Sequence, residues 1–188
     1  MKNNSTRDLI LDSAQTLAQV RGFNAFSYAD IAAELGVKKA SIHYHFPSKG
    51  DLEMELLERY TAAFIAELNS IESRETESVE RLKHYVDLYS TTLSNNQICL
   101  GGMMASDVGA LPEELAPALS LFFKVQTDWL AKVIKDGKKA GELNFSESAQ
   151  SQASVFLAAL QGGLLIANAM HDATVFKRLK KTLITQLL

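Results

Sequence analysis

The 188-residue sequence contains one cysteine, Cys99, so no disulfide can form within the chain. A lone cysteine agrees with a reducing compartment, where structural disulfides are rare. No apolar run reaches the about 20 residues that cross a bilayer, and the N-terminal stretch MKNNSTRDLI has no signal-peptide-like hydrophobic region. We therefore expect a cytoplasmic protein that does not enter a membrane.

Patterns typical of enzymes and metal sites are also missing. The sequence has no nucleophile elbow, no glycine loop long enough to cradle a phosphate and no pair of carboxylates placed for catalysis. His43 and His45 diverge on a helix, and neither His84 nor His171 has a cysteine or carboxylate partner at ligand spacing. We expect no catalytic residues, no metal and no cofactor.

Strand-like alternation, internal repeats and low-complexity tracts are absent, and apolar residues recur at helical spacing nearly throughout. This pattern predicts an all-α protein. Pro112 fits a first helical turn, Pro117 is expected to break or kink the helix that follows, and Gly141 should cap its end. Besides two short helices within residues 27–52, helices are predicted at 5–20, 48–71, 79–93, 100–108, 112–140, 148–170 and 174–187.

The segment from Ser27 to Leu52 predicts two short helices joined by a tight turn. Ser27 is a good N-cap, and Asp30 follows at the spacing of a capping box. Gly36 lies where a chain that leaves a helix often needs a positive φ. The second helix is expected at about 38–46. The same Ser-x-x-Asp start also occurs at Ser5 and Ser48.

The outer face of this second helix carries groups that suit the major groove. Lysine, imidazole and phenol groups bind phosphates and base edges, and the short Ala40 side chain allows close approach of the backbone. Lys49 follows in the first turn of the next helix, where it would clamp a phosphate. The residues expected to contact DNA are Tyr28, Lys38, Lys39, Ala40, Ser41, His43, Tyr44, His45 and Lys49.

Charge is distributed unevenly along the chain. Residues 1–50 contain six Lys or Arg and four Asp or Glu, a net charge of +2, whereas the rest contains thirteen and eighteen, a net charge of −5. A mildly basic head on an acidic body presents one region to DNA and repels the remainder from it.

A spaced pattern of glycine, serine and aromatic residues runs through residues 6–52. Its members are Gly22, Phe23, Ser27, Ile31, Ala32, Gly36, Val37, Ser41, Tyr44, Phe46, Ser48, Lys49 and Leu52. In this spacing the segment resembles the DNA-binding domain of the TetR/AcrR family of bacterial transcriptional regulators. Two positions depart from the family pattern: His43 replaces the usual tyrosine, and Gly50 replaces the acidic residue that usually follows the lysine.

The resemblance implies an N-terminal helix-turn-helix three-helix bundle followed by a C-terminal helical domain for ligand binding and dimerisation. We assign residues 1–47 to the DNA-binding domain and 48–188 to the effector-binding and dimerisation domain, with 48–71 as a connecting helix. In such proteins an effector bound in the body shifts the heads away from operator spacing. The implied partners are double-stranded operator DNA, a small-molecule effector and a second copy of the chain.

Aromatic and methionine side chains in the body offer material for an effector pocket. A lining of this kind, with few polar groups, favours an apolar or aromatic small molecule. Ordinary core packing is the alternative for each of these residues. The candidate ligand-binding residues are Phe64, Tyr85, Tyr89, Met103, Met104, Phe122, Trp129, Gln161, Asn168 and His171.

Two adjacent glycines, Gly162 and Gly163, lie inside a predicted helix, where they cost about 2 kcal/mol relative to alanines. A stripe of small residues there would let another helix approach closely. This helix and the final helix of each subunit could then form a four-helix dimer interface, which is typical of the TetR family. Alternatively, the stripe faces the core of its own chain. The candidate interface residues are Phe156, Ala159, Gly163, Ala167, Phe176, Leu179 and Leu183.

We expect a transcriptional repressor that binds a palindromic operator as a homodimer and is released by a small apolar or aromatic ligand. Two alternatives stay open at this point. One is a redox- or electrophile-sensing regulator that acts through Cys99, which precedes a predicted helix start where a thiolate would be favoured. The other is a ligand-independent DNA-binding protein that recruits a protein partner.

Overall fold

The computed structural model describes residues 5–107, 109 and 112–188. These residues contain helices and no strand, which confirms the all-α prediction, and helix ends fall within three residues of those predicted. Val108, the predicted end of one helix, lies outside the described residues. The helices are α1 (Thr6–Arg21), α2 (Tyr28–Leu35), α3 (Lys39–His45), α4 (Lys49–Arg74), α5 (Ser78–Ser94), α6 (Leu100–Ser106), α7 (Leu115–Ala140), α8 (Ala149–Ala169) and α9 (Ala173–Thr185), with a 3₁₀ turn at Phe23–Ala25.

The chain divides into two compact units. Unit 1 comprises residues 1–61 and 100–120, and unit 2 comprises 62–99 and 121–188, so α4 and α7 contribute to both. The assignment of roles to residues 1–47 and 48–188 stays a prediction. In unit 1, α1, α2 and α3 pack around buried apolar side chains: Ile10, Ala14, Leu17, Phe23, Phe26, Ile31, Ile42 and Phe46.

The three Ser-x-x-Asp sequences form reciprocal caps, as predicted. In each, the serine backbone N–H and hydroxyl donate to the aspartate carboxylate at the start of a helix. These hydrogen bonds, the hydroxyl's first, hold the pKa of each aspartate below its ordinary value of 3.8. The pairs are Ser5–Asp8, Ser27–Asp30 and Ser48–Asp51.

Acid is therefore expected to weaken these caps. Since the folded-state pKa values lie below the unfolded ones, the stabilisation is complete above about pH 4 and is lost as the pH falls through the lowered values. A variant with Asp8, Asp30 and Asp51 changed to asparagine should unfold more easily than the wild type at pH 6, and this difference should shrink towards pH 2.5. Urea unfolding at several pH values measures it. A difference that grows on acidification would contradict the assignment.

The turn between α2 and α3 has the predicted left-handed glycine. Gly36 has φ 66° and ψ 28°, and the N–H groups of Gly36 and Val37 both donate to the carbonyl of Ala32. Glycine adopts this conformation without the steric penalty of a side chain. The turn therefore fixes the direction in which α3 leaves α2. Gly141, with φ 74°, ends α7 as predicted.

The prediction that Pro117 breaks a helix is wrong. Helix α7 begins at Leu115, so Pro117 lies in its first turn, where backbone N–H groups have no partner within the helix. The missing N–H of proline costs nothing there. Pro112 precedes the helix, and its carbonyl accepts a hydrogen bond from the N–H of Leu115 at 3.0 Å.

In unit 2, α8 packs on α9, and both contact α5. A Cβ atom at Gly163 would overlap the Leu179 side chain of the same chain, so this glycine allows α8 and α9 to approach closely. Among the described residues, α8 is the one helix with the length and mean hydropathy (1.3) of a membrane span. The core helix of a soluble protein has the same character, and 39% of that α8 window is buried within the chain.

Candidate DNA-binding surface

Helix α3 turns its apolar side chains inward and its hydrogen-bonding groups outward. Ile42 and Phe46 are buried, as predicted. No carboxylate occurs in the sequence between Glu34 and Asp51, so α3 itself carries only positive or neutral side chains. Lys38, Lys39, Ala40, His43 and Tyr44 are exposed, and Ser41 and His45 are half-buried.

The side chain of Tyr44 is 84% exposed. Its ring packs edge-on against the ring of His45 at 5.2 Å, and the His43 ring packs against the ring of Tyr28 at 4.8 Å. These contacts restrict both imidazoles. The large, exposed phenol of Tyr44 is available to contact a phosphate backbone.

Tyr28 was predicted to contact phosphate, but the structure buries it. Its hydroxyl lies 2.6 Å from the carbonyl oxygen of Ser48 and 3.0 Å from that of Phe46. Burial, and then the charges of Asp51 and Glu53, raise the pKa of Tyr28 to about 12, so the hydroxyl keeps its proton and donates it. Tyr28 therefore ties α2 to the turn between α3 and α4.

Lys49 also has internal partners rather than the open position predicted for a phosphate clamp. Its ammonium group donates to the carbonyl of Phe23 and, at 2.9 Å, to that of Phe26. The same group lies 4.7 Å from the centroid of the Phe26 ring, within cation–π distance. Lys49 therefore joins the first turn of α4 to the segment that precedes α2.

Replacing Lys49 with methionine is expected to destabilise unit 1 by about 1–2 kcal/mol, because the carbonyl groups of Phe23 and Phe26 lose a charged hydrogen-bond donor. The loss is not larger, because Lys49 is only half-buried and water screens its charge. The control is Lys181→Met, which removes an exposed lysine from α9. Urea unfolding followed by circular dichroism compares the two. Equal stability of the two variants would show that the Lys49 contacts contribute nothing.

Five of the predicted ligand-binding residues form one aromatic cluster in unit 2. Phe64 packs against Tyr85 at 6.1 Å and against Phe122 at 5.7 Å, while Tyr85 packs against Tyr89 at 5.7 Å and stacks on Trp129 at 5.5 Å. The other candidates are dispersed: Met103 and Met104 belong to unit 1, Asn168 is half-buried, His171 is exposed, and Gln161 adjoins Tyr89.

Gln126 lies at the centre of this cluster, although it was not predicted as a site residue. Its Oε1 accepts hydrogen bonds from the hydroxyls of Tyr85 and Tyr89, both at 2.9 Å, and its Nε2 donates to the carbonyl of Phe122 at 3.2 Å. Complete burial raises the pKa of Tyr85, which therefore keeps its donor proton. The sequence does contain a signal for Gln126, since it follows Phe122 by four residues and therefore lies on the same, apolar side of α7.

Cys99 lies in unit 2 and is buried. Its Sγ accepts a hydrogen bond from Nε2 of Gln161 at 3.3 Å. Reactive cysteines are usually accessible and lie beside positive charge. The redox alternative therefore gains no support from this environment.

The predicted interface residues are mostly buried within their own chain. Gly163, for example, faces Leu179 across the α8–α9 contact, which is the alternative left open by the sequence. The outward side of α8 is also apolar, with exposed side chains that the prediction did not include. Phe156, Gly163, Ala167, Phe176 and Leu183 are buried, Ala159 and Leu179 are half-buried, and Val155, Leu165, Ile166 and Met170 are exposed.

Comparison with known proteins places this arrangement in a family. Residues 10–56 match the family model described as bacterial regulatory proteins, tetR family. The fold is similar to a TetR-family regulator from Agrobacterium tumefaciens (TM-score 0.93, 32% identity, 96% of both chains) and to a TetR regulator from Legionella pneumophila (0.91, 33%, 100% of both). The HTH-type transcriptional repressor NemR of Escherichia coli is 26% identical over 171 residues, 86% of this chain and 83% of NemR. The chain therefore belongs to the TetR family of DNA-binding transcriptional regulators.

Proposed function

We propose that this protein is a cytoplasmic homodimeric repressor that binds a palindromic operator and is released by a small molecule. The observation that carries the proposal is the exposed face of α3, which has lysine, imidazole and phenol groups and no carboxylate. Similarity to NemR, which is named a transcriptional repressor, supports repression over activation. Family membership supports release by an effector.

The structure changes which residues we propose as DNA contacts. Lys39, Ala40 and His43 are assigned to base edges, since they lie on the exposed part of α3. Lys38, Ser41, Tyr44 and His45 are assigned to phosphates. Tyr28 and Lys49 instead position α3 through their contacts with the preceding and following turns.

The outward face of α8 supports dimerisation. Val155, Leu165 and Ile166 are exposed apolar residues of α8, and Met170, its C-cap, is exposed as well; such a surface costs free energy in water. A second copy related by a twofold axis would cover it with the same surface. Two copies of α3 would then read half-sites about 34–36 Å apart.

Selection of binding fragments from random duplex DNA tests the proposal, together with sedimentation of the protein alone and with the selected fragment. We expect an inverted repeat bound by two chains, with affinity that falls as salt is raised. A monomer in sedimentation, or no enrichment of any inverted repeat at moderate salt, would refute it.

Lys39→Ala is expected to weaken operator binding and to relax base preference at one position of each half-site. A base-edge contact contributes about 1–3 kcal/mol of discrimination, so the preference there should fall about 5- to 150-fold. Lys38→Ala is the matched control, because loss of a phosphate contact should weaken all sequences alike and reduce the salt dependence. Competition assays with single-base operator variants measure both. An unchanged base preference in Lys39→Ala would contradict the assignment.

A further inference from the structure

Two buried polar atoms beside the aromatic cluster have no hydrogen-bond partner among the described residues. They are Nε1 of Trp129, a donor, and Oε1 of Gln161, an acceptor. Trp129 is 9% exposed. Folded proteins pair nearly all such groups, because a buried polar group without a hydrogen-bond partner is costly. An unpaired donor and an unpaired acceptor in one region indicate a place where a ligand supplies both partners.

The two atoms lie at opposite ends of a short series of contacts. The Trp129 ring stacks on Tyr85 with an angle of 21° between the planes, and the Tyr85 hydroxyl lies 3.5 Å from that of Tyr89. Tyr89 in turn accepts a hydrogen bond from Nε2 of Gln161 at 3.1 Å. The two unpaired atoms therefore belong to residues that are linked through only two tyrosines.

The orientation of the Gln161 amide follows from counting protons. Tyr89 donates its single hydroxyl proton to Oε1 of Gln126, and its oxygen accepts a hydrogen bond from Nε2 of Gln161. The other N–H of the Gln161 amide points to Cys99 Sγ. Both donors of Gln161 are therefore used, and its Oε1 is the atom that requires a donor.

The surroundings also limit the charge of the ligand. Within the described part of unit 2, the buried polar residues are Ser78 and Gln126, and no buried side chain carries a charge. An ionised ligand group here would be buried without a counter-charge, which is costly. The rings of Phe64, Tyr85 and Phe122, which pack against one another here, make these surroundings apolar and aromatic.

We propose that the effector is an uncharged aromatic molecule with two separate polar groups: an acceptor for Nε1 of Trp129, such as a carbonyl oxygen, and a donor for Oε1 of Gln161, such as a hydroxyl. This inference rests on the proposed function, because it specifies the class of molecule that releases the operator. It replaces the broader expectation of any apolar or aromatic ligand.

The three isomers of hydroxyacetophenone test this class, since each has both groups on one ring. Acetophenone lacks the donor, and 3-ethylphenol lacks the carbonyl. Calorimetric titration of the full-length protein near neutral pH should show one isomer binding at least about tenfold more tightly than either reference compound. Trp129 is the only tryptophan, so the protein has a single indole N–H signal in NMR spectra. Acetophenone should shift it downfield, and 3-ethylphenol should shift it much less.

Variants separate the two hydrogen bonds. Trp129→Phe should remove the advantage conferred by the carbonyl group, and Gln161→Met should remove the advantage conferred by the hydroxyl. Gln150→Met, at an exposed position on α8, is the matched control and should bind every compound as the wild type does. If Trp129→Phe fails to fold, the indole N–H signal of the wild type still tests whether Nε1 of Trp129 donates to the carbonyl group of the ligand.

The outcomes distinguish this inference from the proposed function. If no isomer binds more tightly than the reference compounds, or the indole signal does not respond to the carbonyl, the ligand class is wrong. Operator release by a charged compound would also overturn the class, yet leave the repressor proposal in place. If the protein binds no operator while the titrations behave as expected, the proposed function fails and the ligand class stands.

Discussion

Replacing Ile166 with aspartate is expected to give a folded monomer that no longer distinguishes an inverted repeat from random duplex DNA. Ile166 is 53% exposed on the outward face of α8, so an aspartate there remains solvated in the single chain. At a twofold interface the same carboxylate would be buried, and two copies would lie near each other without a counter-charge. Since one α3 reads only half of the repeat, loss of the dimer removes most of the affinity.

The control is Leu121→Asp, which introduces the same charge at an aliphatic residue of α7 that is 54% exposed. Sedimentation velocity gives the mass of each variant, far-ultraviolet circular dichroism confirms the fold, and a shift assay with the selected operator measures binding. We expect Leu121→Asp to remain a dimer and bind. A dimeric Ile166→Asp protein would show that another surface forms the interface.

The features that could be predicted from sequence are those whose signal and partner lie close together in the chain. Each capping aspartate is three residues from its serine. The turn that requires the positive φ of Gly36 likewise spans only a few residues. Helical periodicity in turn placed Ile42 and Phe46 inward, which determined the outward face of α3. For these reasons the helix-turn-helix and most of its exposed residues were predicted correctly.

Long-range partners could not be predicted from the sequence. Lys49 lies where a phosphate contact is expected, but its ammonium group donates to the carbonyls of Phe26 and Phe23. These two residues precede Lys49 by 23 and 26 positions. Tyr28 likewise donates to carbonyls 18 and 20 positions later. Sequence spacing contains no information about such pairs, because they depend on how the turns meet in three dimensions.

Helix α8 shows a second limit of sequence patterns. It is apolar or small nearly all round, so its periodicity does not identify the side that packs on α9. The prediction assigned the stripe containing Gly163 to a dimer interface, while the structure places that stripe against α9 and leaves Ile166 and its neighbours exposed. The two adjacent glycines of α8 therefore have different environments.

This difference predicts opposite effects of the same substitution at Gly162 and Gly163. A side chain at Gly163 would overlap Leu179 and press on Phe176, whereas a Cβ at Gly162 meets nothing within 4 Å in the single chain. Gly163→Leu should destabilise unit 2 by about 3 kcal/mol, as expected for strong overpacking. Gly162→Leu should stabilise the helix by up to about 1 kcal/mol, because glycine is a poor helix former.

Both substitutions are best compared in the Ile166→Asp background, so that contacts with a second copy do not contribute. Urea unfolding followed by circular dichroism gives the free energy of each variant. Adding Leu179→Ala to Gly163→Leu returns space at the same contact, so the double variant should recover part of the lost stability, whereas Leu179→Ala alone should destabilise. If Gly162→Leu and Gly163→Leu change stability equally, α9 does not lie where the structure places it against α8.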